Sequence, residues 1–238
     1  MFERIRSNFK KAIFFDFGDT LASTNPAYLI RLALAFRDCG YNVSDADFER
    51  AYLETDYEIH KKYLERGAIS PLEYREWFFP KLCRRLSLEG ETKIIREEIR
   101  IALREINYTR SALPGAIELI QLLKDRGLTL GIISNNDGTT QEKCEEVGIK
   151  NYFDIIADST NLGFVKPDSR IFQFVLEKLN ISPADALHIG DLYGSDVLGG
   201  RNAGLDVIWL NKRRIEKLDE TQILEVKNLS EIVKQLGT

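Results

Sequence analysis

The sequence predicts an α/β protein with a doubly wound, Rossmann-like parallel sheet and an inserted helical segment. Three observations predict it. Short apolar runs stop abruptly at polar residues, stretches with helical spacing separate them, and one long segment breaks the alternation without containing a convincing strand. Continuous apolar runs of four to six residues are what strands buried on both faces look like. Alternation of strand and helix then requires right-handed crossovers between parallel neighbours.

Taken in order, the first run is Ala12–Phe15, which ends at Asp16. The segment from about Asn25 to about Tyr108 follows, with helical stretches at Ala27–Cys39, Asp45–Arg66, Leu72–Leu86 and Thr92–Ile106. Their start and stop signals are Gly40 after the first, Ser44 before and Gly67 after the second, Ser70-Pro71 opening the third, and Gly90 before the fourth. The alternation then resumes. Pro114–Arg126 has helical spacing and a stop at Gly127, and Leu128–Ile133 is an apolar run ending at Ser134-Asn135-Asn136. Thr139–Val147 is a helix stopped by Gly148, and Phe153–Ala157 is a weaker run. Asp168–Leu179 and Asp196–Ala203 are helical, while Ala186–Ile189 and Val207–Leu210 are strands ending at Gly190-Asp191 and Asn211. There is no internal repeat and no low-complexity tract.

The bulk composition excludes several classes. In 238 residues, 44% hydrophobic and 29% charged, there is ample material for a core, and the net charge of −4 is opposite to a nucleic-acid binder's. The basic clusters Lys10–Lys11, Arg84–Arg85 and Lys212–Arg214 have acidic neighbours and read as solvated faces. Cys39, Cys83 and Cys144 are odd in number and lack metal-ligand spacing, which fits a reducing compartment. Met1 to Lys11 lacks an apolar signal core, and no run is long enough to span a membrane, so a cytoplasmic location is expected.

In an open parallel sheet, ligands bind beyond the carboxyl ends of the strands at the switch point in strand order. Asp16, Ser134, Asp191 and Asp196 are therefore the first candidates. Two aspartates at adjacent strand ends can share a hard divalent cation, and a carboxylate can attack phosphorus. The plainer alternative is that Asp and Gly after strands make turns and cap helices. Turn chemistry, however, does not require these spacings in this order.

These residues resemble the haloacid dehalogenase superfamily along nearly the whole chain. The first motif is Ile13-Phe14-Phe15-Asp16-Phe17-Gly18-Asp19-Thr20-Leu21, and the second is Leu130-Gly131-Ile132-Ile133-Ser134-Asn135. The third is Gly163-Phe164-Val165-Lys166-Pro167-Asp168, and the fourth is His188-Ile189-Gly190-Asp191-Leu192-Tyr193-Gly194-Ser195-Asp196. The resemblance implies a core of residues 1–24 and 109–238 with strand order 3-2-1-4-5, and a helical cap of the first class at 25–108. Within the superfamily, the phosphoglycolate-phosphatase-like proteins are the nearest in pattern. The resemblance assigns Asp16 as nucleophile, Thr20 to its supporting hydrogen bonds, and Ser134, Asn135 and Lys166 to the substrate, with Lys166 neutralising charge. A Mg²⁺ ion would be held by Asp16, the Gly18 carbonyl, Asp191 and Asp196, the last directly or through a neighbour. The implied activity is hydrolysis of a small phosphorylated metabolite through an aspartyl-phosphate, with no nucleic-acid or membrane partner. The substrate and the oligomeric state are not readable.

The pattern breaks at one position. The phosphatase motif carries a second aspartate two residues after the nucleophile, as acid and then base, and here that position is Gly18. Loss of such a group costs ~10²–10⁴-fold in rate. Three explanations stay open: Asp19 replaces it, the leaving group needs no acid, or the protein binds phosphate compounds without efficient turnover. A phosphonate-cleaving relative would need a cap lysine, for which Lys61, Lys62, Lys81 and Lys93 are available. In the cap, Trp77-Phe78-Phe79 reads as packing or as a shield against water. Tyr193 and Asn135 read either as structural or as substrate contacts, and His188 and His60 are given no catalytic role, His60 being expected at the surface.

Overall fold

The computed structural model describes residues 10–217, 219–220 and 222–237. Residues 1–9, which include most of the segment read for a signal core, lie outside the described residues. The sheet is built on β1 (Ala12–Phe15), whose four residues are all buried. Its alternation serves two cores. Ile13 and Phe15 pack with Leu130, Ile132, Leu187 and Ile189 on one face, while Ala12 and Phe14 pack with Ile171 and Phe172 on the other. That is why the run is apolar throughout.

β1 lies between β4 (Thr129–Ser134) and β6 (Ala186–Gly190), both parallel to it. β5 (Ile155–Asp158) flanks β4, β7 (Asp206–Leu210) flanks β6, and β8 (Leu224–Val226) closes the far edge. The expected 3-2-1-4-5 order is present, with β8 as a sixth strand. The order reverses at β1, so the carboxyl ends of β1, β4 and β6 open onto one crevice.

A short antiparallel ribbon of β2 (Ala22–Asn25) and β3 (Thr109–Ala112) brackets the insertion. Between these strands run α1 (Tyr28–Asp38), α2 (Asp45–Arg66), α3 (Pro71–Arg85) and α4 (Thr92–Glu105). The expected punctuation operates. Ser44 accepts from the Asp47 N–H, Gly67 closes α2 in the left-handed region at φ 75°, and Ser70 and Glu73 form a reciprocal capping box. The four helices share their own core around Phe36, Phe48, Phe78, Leu82 and Ile99. Trp77 and Phe79 are half-buried against it, so the aromatic cluster does pack the insertion.

The resumed alternation supplies α5 (Ala116–Asp125), α6 (Thr140–Glu146), the single turn α7 (Ser159–Leu162) and α8 (Ser169–Leu179). The last expected helix differs. A π-helical turn at Tyr193–Leu198 runs into the short α9 (Gly199–Asn202), so winding begins three residues earlier than the local pattern suggests. The reason is distant: Asp56 of α2 accepts from the Gly194 N–H (2.7 Å) and the Ser195 N–H (3.2 Å), capping that turn from the inserted helices. α10 (Leu229–Gly237) packs Leu229, Ile232 and Leu236 against the sheet. No described helix is long and apolar enough to cross a membrane.

Candidate active site

The crevice gathers the expected residues. Asp16 follows β1, and its backbone N–H donates to the Ile189 carbonyl of β6 (2.9 Å), which fixes it beside the start of the fourth motif. Lys166 Nζ donates to Asp16 Oδ1 (2.7 Å) and to Asp196 Oδ1 (2.6 Å), all three side chains being almost fully buried. Asp16 Oδ2 has no hydrogen-bond partner among the described residues. Asp16, Asp191 and Asp196 each turn one carboxylate oxygen into a space where the three lie within 4.8 Å of one another.

Glycine makes this crowding feasible. A Cβ on Gly190 would lie 2.3 Å from Asp196 Cγ, so no larger residue could end β6 with Asp196 where it is. His188, in the middle of β6, donates from Nε2 to Asp196 Oδ1 (3.0 Å) and packs edge-on against Phe172. Burial lowers its pKa, leaving a neutral ring whose donor must face the carboxylate. Burial alone would raise Asp196, but Lys166 and His188 hold it well below the usual range. Asp16 is pushed up, first by burial and then by Asp196 and Asp191, against the pull of Lys166. The three buried carboxylates thus face only Lys166 and, beyond β7, Arg213, whose charge Asp19 and Glu49 share. Oxygen donors short of positive charge are what a hard divalent cation takes, so the residues fit such an ion.

The remaining expected residues are close by. Ser134 ends β4, is buried, and its hydroxyl makes no hydrogen bond among the described residues. Asn135 is locked in a reciprocal pair, its amide donating to the Lys166 carbonyl (2.9 Å) and accepting from the Lys166 N–H (2.7 Å). It therefore holds the lysine's loop against β4. The Thr20 hydroxyl donates to Asp191 Oδ1 at a long 3.4 Å rather than to Asp16. Tyr193 packs between Trp209 and Tyr57 and donates to Asp219. His60 is half-buried, not a surface residue, because α2 lies down on the core. Of the four lysines singled out in the insertion, Lys61 lies over Tyr57, Lys62 pairs with Glu65 and Lys81 with Glu58, while Lys93 is exposed.

The basic cluster at 212–214 overturns its reading as a solvated face. Arg213 is 14% exposed and donates to Asp191 Oδ2 (2.6 Å), Asp19 Oδ2 (2.9 Å) and Glu49 Oε1 (2.9 Å) of α2. Burial would lower its pKa, but Asp191 and Asp19 raise it. Asp19 also accepts from Ser23 (2.6 Å) and Lys212 (3.4 Å), and these cations keep it below the usual range despite burial. Its carboxylate is fully engaged on the side facing β7, which leaves Gly18 without a substitute in this arrangement. The signal for Arg213 was its position just past the end of β7, the same strand-end rule that found the aspartates.

A family model for haloacid dehalogenase-like hydrolases matches residues 10–204. The chain is 32% identical over 211 residues to pyrimidine 5'-nucleotidase YjjG of Escherichia coli, covering 86% of this chain and 88% of the relative. It is 30% identical over 225 residues to the glyceraldehyde 3-phosphate phosphatase of Pyrococcus furiosus, covering 94% and 88%. Among solved structures, YfnB of Bacillus subtilis, bound to magnesium, is similar with a TM-score of 0.67 and 26% identity, covering 96% of this chain and 99% of that one.

Proposed function

The chain belongs to the haloacid dehalogenase-like hydrolase family, and from that premise we propose that it is a Mg²⁺-dependent phosphatase acting on a small phosphorylated metabolite through Asp16. The observation that carries this reading is the placement of Asp16: one carboxylate oxygen tied to Lys166 and the other without a partner among the described residues. That free oxygen is the attacking atom, and Lys166 holds the carboxylate in a single orientation. Ser134, with an unengaged hydroxyl, and Lys166 would receive the phosphoryl oxygens. Asn135 acts on this site by fixing the Lys166 backbone.

Asp16, Asp191 and the Gly18 carbonyl would hold the cation, with Asp196 set back by its bonds to Lys166 and His188. When bound, Mg²⁺ supplies charge that keeps Asp16 ionised and offsets the negative charge of the phosphoryl group. Residues 25–108 would form the cap over this site, with the β2–β3 ribbon as its hinge, and the enzyme would work in the cytoplasm without nucleic acid or membrane.

The named relatives support phosphate chemistry and differ in substrate, one a pyrimidine 5'-nucleotidase and the other a glyceraldehyde 3-phosphate phosphatase. A second reading, phosphate-ligand binding without efficient turnover, is favoured by Gly18 and the engaged Asp19. Phosphate release from acetyl phosphate, with Mg²⁺ or chelator, separates them. The expected result is release that needs both the metal and Asp16. Equal release by Asp16→Asn would sink the proposal, and ligand-dependent thermal stabilisation without release would favour binding.

A further inference from the structure

The inserted helices line a chamber of about 340 Å³ that the phosphoryl chemistry leaves unused. That volume suits a small organic group. Its lining is largely aromatic, with Phe36, Phe48, Phe78, Phe79 and the phenols Tyr28, Tyr52 and Tyr74, and three arginines stand beside them. None of these hydroxyls has a hydrogen-bond partner among the described residues. Tyr28 is 44% exposed although it lies at the start of α1, within the chamber's lining.

α2 runs from the chamber to the groups around the strand-end carboxylates. Glu49, Tyr52 and Asp56 recur at helical spacing and share one face. Glu49 reaches Arg213, which holds Asp191, and Asp56 reaches the Gly194 and Ser195 N–H groups. Tyr52 lies between those two contacts. Its ring meets Phe78 (centroids 4.9 Å apart) and Phe48 (6.3 Å), and Tyr74 stacks on the same Phe78 (5.1 Å). Burial raises the pKa of Tyr52 and Tyr74 well above the ordinary value, with Asp56 adding to both, Asp191 to Tyr52 and Asp196 to Tyr74. The aromatic chamber and the nucleophile's crevice are therefore neighbours across one helix face.

Gly18 supplies the second constraint. With no acid there and Asp19 engaged elsewhere, a leaving oxygen receives no proton from the first motif. Substrates whose leaving group departs readily as an anion are the ones that such a site turns over. We propose, building on the phosphatase reading, that the substrate is an aryl phosphate, a monoester whose leaving oxygen is carried by an aromatic ring seated in this chamber.

The step balances without an acid. An Asp16 oxygen forms a bond to phosphorus as the bond from phosphorus to the aryl oxygen breaks, and the electron pair leaves on a ring-stabilised phenolate. Water protonates the phenolate. A second water then attacks the aspartyl-phosphate, its proton passing to solvent, and releases inorganic phosphate and the Asp16 carboxylate.

The test compares kcat/KM for phenyl phosphate, glycerol phosphate and acetyl phosphate. Acetyl phosphate has a good leaving group and no ring, so it reports on the phosphatase reading alone. Phenyl phosphate should exceed glycerol phosphate by about 10²-fold or more. In Phe79→Leu, a half-buried position, and in Tyr52→Phe, the ratio of phenyl to acetyl phosphate activity should fall, roughly tenfold in the former. If acetyl phosphate is hydrolysed but phenyl phosphate is not preferred, or if that ratio stays unmoved in both variants, the aryl proposal falls and the phosphatase stands. If nothing is hydrolysed, the phosphatase reading falls. Calorimetry of phenol with Asp16→Asn then decides the chamber: binding weakened by Phe79→Leu supports it, and no binding overturns it.

Discussion

At position 18 the backbone is in a conformation open to any residue, and a Cβ built there would meet nothing within 4 Å. An aspartate therefore has room, and Gly18→Asp is expected to raise kcat on alkyl phosphates by about 10²-fold, measured as phosphate release against wild type. Asp19 is different: its φ of 56° and its bonds to Ser23, Lys212 and Arg213 direct its side chain toward β7. Arg213 holds an oxygen of Asp191 that a divalent cation would also seek. Arg213→Gln should accordingly tighten Mg²⁺ binding, roughly tenfold by calorimetry, and an unchanged or weaker affinity would show that the two do not compete. Asp16, Asp191 and Asp196 were legible in the sequence because they stand at or just past strand ends, and Lys166 through the resemblance to the family's third motif. Asp56 was not, because its importance depends on partners far off along the chain, and Arg213, although just past a strand end, read as part of a solvated basic cluster.

Among elements, α2 matters most to the crevice, since it carries Asp56 onto the Gly194–Ser195 turn and Glu49 onto Arg213. Its contact is close: a Cβ on Gly194 would lie 2.0 Å from the Asp56 carbonyl oxygen. Gly194→Ala must push α2 away, at a cost of ~1–3 kcal/mol in urea unfolding and a larger loss of activity. Asp56 also sets a pH dependence. Burial, outweighing the bonds from Ser195 and Gly194, raises its pKa from 3.8 to about 7. The folded chain then keeps a proton that the unfolded chain has released, so this contribution to stability declines as pH rises from about 4 to about 7. The urea midpoint of wild type should decline over that window more than that of Asp56→Asn; equal slopes would contradict the assignment. The long helices and the buried strands were readable from period and punctuation. The β2–β3 ribbon was not, because Ala22–Asn25 and Thr109–Ala112 are short and polar and take their pairing from the chain reversal around the insertion. The three-residue β8 has too little pattern to be seen.

At the scale of the whole molecule, the sheet's switch point gathers the carboxylates, and the inserted helices enclose an aromatic chamber of their own. The doubly wound class was legible from the alternation of buried strands and crossovers, and the strand order from the family resemblance. How α2 docks on the fourth motif was not, since docking depends on shape rather than on period. A nucleophilic Asp16 must itself become phosphorylated. Without an acid–base group at position 18, hydrolysis of the aspartyl-phosphate should be slow, so the intermediate should accumulate. The most direct measurement is mass spectrometry of protein mixed with acetyl phosphate and Mg²⁺ and quenched in acid. The expected result is one added phosphoryl group on the peptide containing Asp16, absent in Asp16→Asn and short-lived in Gly18→Asp. Phosphate release with no such adduct, or with the adduct on another residue, would contradict it.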